Sequence, residues 1–107
     1  MLSKKNRAGA EEIKKMFKGS RFLVSSSLTF RYLKTNNQEV KISFIAPKNV
    51  AKLAVERNQL RRRGYFVLRK YIHQFPAGLI GAFVFKKYQD DILILENEIK
   101  NIINKVH

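Results

Sequence analysis

A chain of 107 residues that is 45% hydrophobic, with 8 Phe and 4 Tyr, can build one core without disulfide staples, and residues 1–107 read as one domain. Against 22 Lys and Arg stand only 8 Asp and Glu, and the resulting +14 favours a polyanionic partner over acid–base chemistry or a hard-metal cage. With no Cys, the chain excludes disulfides, thiolate zinc sites and Cys nucleophiles, and no apolar run approaches the roughly 20 residues of a membrane helix. Met1-Leu2-Ser3-Lys4-Lys5 lacks the apolar stretch of a signal peptide. The expectation is a soluble, cytoplasmic, basic domain.

In chain order, Ile13, Met16 and Phe17 fall at helical spacing, with Glu11 and Glu12 near the start and Gly19 as a stop, which predicts a helix over 9–18. Residues 21–34 change period: Leu28, Phe30 and Tyr32 alternate with Thr29, Arg31 and Leu33, as in a strand with two different faces. Asn36-Asn37 marks a turn, and 41–46 supplies a second strand that Pro47 stops. The short link predicts an antiparallel hairpin between them. From about Val50 to Tyr71 a longer helix follows. Leu53, Leu60, Gly64, Val67 and Tyr71 form its apolar stripe, and Asn58, Arg61, Arg62, Tyr65 and Arg69 fall on another side. Gly64 inside this helix points to close packing, since glycine there costs about 1 kcal/mol against alanine. Leu79 to Phe85 reads as a strand buried on both faces. Asp90-Asp91 cap a last amphipathic helix carrying Ile92, Leu95, Ile99, Ile102 and Val106. The order αββαβα makes an α+β sandwich, with the strands flanking the long helix parallel to each other.

The densest chemistry lies in residues 48–65, where four Arg and two Lys stand among Asn58 and Tyr65. Arginine presents a planar fork of donors that matches phosphate oxygens in pairs, and its charge does not titrate away. Glutamates at i,i+4 do not balance these arginines, so internal ion pairs do not account for them. Phe17, Phe30, Tyr32 and Phe44 are candidates for stacking on unpaired bases, although an aromatic at such spacing is more often core. Arg31, a charge between two aromatics on a strand, is expected to face water or a ligand.

Signals of protein catalysis are weak. His73 and His107 stand apart from carboxylates, Ser25-Ser26-Ser27 lacks the glycines of a nucleophile elbow, and there is no Gly-rich phosphate loop. Asp90-Asp91 fit helix capping better than magnesium ligation.

The run Lys48-x-Val50-Ala51-Lys52-x-Ala54-Val55-x-Arg57-Asn58-x-Leu60-Arg61-Arg62 closely resembles the signature of the protein subunit of bacterial ribonuclease P. The flanks agree: Asn6-Arg7, a first helix ending in Phe17-Lys18-Gly19, then Arg21-Phe22 leading into a strand. The resemblance spans roughly residues 2–105. It implies a fold like the second domain of ribosomal protein S5, with a left-handed β-α-β crossover. It also implies an accessory to a catalytic RNA that removes the 5′ leader of precursor tRNA, so that no catalytic residue is expected in this chain. The implied partners are ribonuclease P RNA and precursor tRNA, with no membrane and no small-molecule substrate. Mg2+ is implied as the cofactor, bound mainly by the RNA subunit and the substrate. Carried over by position, Lys48, Lys52, Arg57, Asn58, Arg61, Arg62, Tyr65 and Arg69 form the RNA-binding face, and Ile13, Phe17 and Arg31 line the leader cleft. Gln59 stands where the family usually has its second Arg, Tyr65 replaces a later basic residue, and Ile13 and Arg31 replace residues that are often aromatic. The alternative is a ribosomal or general RNA-binding module with no role in cleavage.

Overall fold

The computed structural model describes residues 4–106, of Lys4 the backbone alone. Met1–Ser3 and His107, on which the readings of the N-terminal leader and the last imidazole bear, lie outside the described residues. The elements are α1 (Ala10–Gly19), β1 (Arg21–Val24), β2 (Leu28–Lys34), β3 (Lys41–Ile45), α2 (Ala54–Tyr71), β4 (Leu79–Phe85) and α3 (Ile92–Val106). Short 3-10 turns occupy Lys4–Asn6 and Ile72–Gln74. The expected αββαβα order holds with one addition, because residues 21–34 divide into two strands at the Ser25–Ser27 turn.

The four strands lie in the order β1-β2-β4-β3. β1 pairs antiparallel with β2, β2 antiparallel with β4, and β3 parallel with β4. The parallel pair across α2 is as expected. The hairpin between β2 and β3 is not formed: β4 lies between them, with Phe30 and Phe44 both opposite Phe83. The physical reason is burial. β4 is apolar on both faces, so the centre of the sheet is where it loses most contact with water.

One face of the sheet carries the main core. Leu28, Phe30, Tyr32, Ile42, Phe44, Leu79, Phe83 and Phe85 pack there beneath Leu60, Val67 and Leu68 of α2 and Leu95, Ile99, Ile102 and Val106 of α3. Phe30, Phe83 and Phe44 stack in a row across three strands, with ring centroids 4.3 and 5.0 Å apart. A Cβ at Gly64 would come within 2.5 Å of the Phe44 ring, so glycine lets α2 settle onto β3. Gly78, with φ +82°, is the turn that brings its carbonyl to the Thr35 amide and hydroxyl, at 2.8 and 2.7 Å.

The opposite face is covered only in part. Met16 of α1 lies on Ile80 and Ala82 of β4, with Ile13, Leu33 and Ile45 packed around them. α1 is held at its start by Glu12, whose Oε1 accepts the Gly9 N–H at 2.8 Å and whose Oε2 pairs with Lys41 of β3 at 3.0 Å. At the other end of the chain, Asp91 caps α3 by accepting the amides of Leu93 and Ile94, at 2.9 and 3.3 Å. Among the described residues no helix is long and apolar enough to cross a membrane.

Candidate nucleic-acid interface

The basic segment divides between a turn and a helix. Pro47 begins a turn in which its carbonyl accepts the amides of Val50 and Ala51, leaving Lys48 and Lys52 exposed. Arg57 folds back over this turn: its Nη1 donates to the carbonyls of Ala51 and Lys52, at 3.0 and 2.8 Å. It thereby ties the end of this turn, with Lys52, to the first turn of α2. Leu53, assigned from its spacing to the apolar stripe, is instead 60% exposed, because it stands in extended backbone just before α2 begins.

Along α2, Asn58, Arg61, Arg62 and Tyr65 line one hollow of about 360 Å3, together with Arg7 and Phe66. Arg61 donates from Nη2 to the Asn58 side-chain oxygen, which orients both groups. Tyr65 is placed differently from the others. Only 8% of it is exposed, its hydroxyl accepts the Phe44 N–H at 3.1 Å, and its ring meets Phe44 edge-on at 5.2 Å. The face it does show is covered by the Arg7 guanidinium, 4.9 Å from the ring centre. Arg69 lies one turn further along, over the Phe66 ring at 5.6 Å.

Among the described residues no carboxylate pairs with Arg57, Arg61, Arg62, Arg63 or Arg69; the ion pairs are Lys41–Glu12 and Lys70–Glu96. A helix face of uncompensated guanidinium groups attracts anions, and a regular row of them suits a phosphate backbone.

The second candidate site lies on the uncovered part of the sheet. Phe17 is 43% exposed and Arg31 extends between two rings, 5.1 Å from the centre of Phe17 and 5.9 Å from that of Phe22. Phe22, opposite Arg31 in the β1–β2 pairing, is 62% exposed. Ile13 is turned under α1 into the small core with Met16, Ile80 and Ala82. Phe30, Tyr32 and Phe44, considered from sequence as stacking aromatics, are buried on the other face of the sheet. Strand alternation puts Arg31 on one face and its two aromatic neighbours on the other.

Arg7 and Phe22 entered from sequence only as flanks of the resemblance, without a site role, and Phe66 was not singled out at all. Phe66 was legible in principle, since it falls out of phase with the Leu60, Gly64 and Val67 stripe. Arg7 was not, because its place against Tyr65 depends on Asn6 donating to the Val40 carbonyl at 2.9 Å and Ser43 donating to the Ala8 carbonyl at 2.8 Å.

Among the described residues no three His, Cys, Asp or Glu side chains come together to hold a metal ion. Asp91 is occupied in capping α3, and the Asp90 carbonyl accepts Arg63 at 3.2 Å. His73 is exposed on the 3-10 turn after α2. The described residues therefore offer no cluster that fits a magnesium ion.

No curated protein matches the sequence. Among solved structures, the chain is similar to the RNase P protein from Thermotoga maritima, at 15% identity and a TM-score of 0.82, covering 94% of this chain and 97% of that one. It is similar also to the RNase P protein from Staphylococcus aureus, at 12% identity and a TM-score of 0.79, covering 97% and 98%. A mutant of the latter with defective mRNA degradation activity gives 13% identity and 0.81, covering 95% and 90%. At such identities these likenesses establish the fold. The family model described as Ribonuclease P matches residues 2–107, and the chain therefore belongs to the ribonuclease P protein family.

Proposed function

We propose that, as a protein component of ribonuclease P, this chain binds the catalytic RNA through α2 and the preceding turn, and holds the 5′ leader of precursor tRNA on the open sheet face. The observation that carries this reading is the α2 face itself: Asn58, Arg61 and Arg62 converge with Arg7 on one hollow, and no carboxylate among the described residues neutralises the arginines. The open face with Phe17, Phe22 and Arg31 supplies what a single strand needs, rings for bases and a cation for phosphate.

In this reading the chemistry belongs to the RNA subunit, and Mg2+ is held by the RNA and substrate. The chain contributes charge. Bringing catalytic RNA and precursor together sets two polyanions against each other, and +14 charges between them reduce the screening that magnesium must supply. The test is cleavage of precursor tRNA at low magnesium by a bacterial ribonuclease P RNA alone, by this protein alone, and by the two together. Cleavage at the mature 5′ end only in the mixture is expected. Binding without stimulation, even with the RNA from the same source, would favour a general RNA-binding module instead.

A further inference from the structure

α2 carries one feature that phosphate binding leaves unexplained. Phe66 is 45% exposed in the middle of the basic face, with Arg62 one turn before it and Arg69 and Lys70 one turn after. The guanidinium of Arg69 and the Nζ of Lys70 each lie 5.6 Å from its ring centre. The helix takes its core contacts from Leu60, Gly64, Tyr65, Val67 and Leu68, so Phe66 is not part of the packing against the sheet.

Phe66 is also the shared wall of two hollows. The first, already described, presents the Asn58 amide with Arg61 and Arg62. The second, of about 420 Å3, is lined by Gln59, Arg62, Arg63, Phe66 and Ile92. Each therefore combines an aromatic wall, an arginine and a side-chain amide, which are the groups that grip a nucleotide by its base face, its phosphate and its base edge. Both volumes fall in the range of about 300–1,000 Å3 usual for small-ligand sites.

We propose that Phe66 is a stacking platform for an unpaired nucleobase of the RNA that α2 binds; this rests on the RNA-binding reading above. A paired base inside a duplex offers no free face, so the occupant is a bulged, looped or extruded nucleotide. The cations around the ring attract the phosphates flanking such a nucleotide. Arg69 and Lys70 already lie at the ring, and a base replaces or joins them on its face.

The experiment measures binding of a bacterial ribonuclease P RNA across a salt series. Phe66→Ala and Phe66→Leu are expected to weaken binding about 5- to 150-fold, the loss of one base–aromatic stack. The slope against salt stays as in the wild type, since no phosphate contact is removed. Phe66→Tyr retains wild-type affinity. The chain has no Trp, so in Phe66→Trp the single indole reports on the site, and its emission is quenched when RNA binds. Wild-type affinity in Phe66→Leu, or an indole unmoved at saturating RNA, overturns the proposal even if Phe66→Ala proves poorly folded. Arg61→Ala and Arg62→Ala separate it from the reading beneath it: if both bind RNA with wild-type affinity and slope, both readings fall. If those variants bind weakly while Phe66→Ala does not, only the stacking proposal falls.

Discussion

Arg57 and Arg62 carry the same group on the same helix, yet their surroundings give them different work. The Nη1 of Arg57 is engaged with two carbonyls of the preceding turn, whereas Arg62 is exposed between two hollows. Arg57→Ala is expected to lower stability by roughly 1–2 kcal/mol through the lost charged hydrogen bonds, as well as weakening RNA binding. Arg62→Ala leaves stability unchanged and flattens the salt dependence of RNA affinity by about one unit of slope. Urea unfolding beside a binding series distinguishes the two. Glu12 is a third case. The Gly9 amide first, and the Lys41 ammonium after it, hold its carboxyl below the ordinary value of 4.5. A depressed carboxyl stabilises the fold above that value and loses its contribution as pH falls through the folded-state value. Glu12→Gln should therefore flatten the acid limb of the stability curve below about pH 4.5, measured by thermal melts across pH. Residue roles were only partly legible in the sequence. The spacing of Arg61 and Arg62 put them on one basic face, and they line one hollow, but Tyr65 shared that helical angle and is buried, because β3 and the N-terminal segment cover its side of α2.

At the scale of elements, helices were more legible than strand pairing. Periodicity located α1, α2 and α3 to within a few residues, since each apolar stripe is a local property of the chain. Pairing is not local. The six residues between β2 and β3 look like a hairpin loop, and nothing within them shows that a strand from 79–85 will separate the two. The signal lay in β4 itself, whose apolar character on both faces required a central position. The contact of α2 with β3 gives an element-scale prediction. Alanine at 64 favours the helix by about 1 kcal/mol, but its Cβ would meet the Phe44 ring, and overpacking of this kind costs about 1–3 kcal/mol. Gly64→Ala is therefore expected to destabilise the protein in urea unfolding. Combined with Phe44→Leu it should cost less than the sum of the two single changes, because both act on one contact.

For the whole molecule, charge opposes what packing achieves. With 22 basic and 8 acidic residues, self-repulsion acts against the compact state unless anions are present. Sulfate added at low ionic strength is expected to raise helicity and the melting temperature together, by circular dichroism, and full helicity without it would refute this.

The place of β4 also bears on how the protein is made. Synthesis releases β3 and α2 before β4, yet β4 is the sheet partner of β3 and the link between β3 and β2. A nascent chain released only as far as residue 78 holds a β1–β2 ribbon and the basic segment of α2, but no continuous sheet on which to set them. Such long-range pairing is slow to close. The emerging polypeptide is thus a polycation before it is a folded domain, open in that state to any polyanion near it.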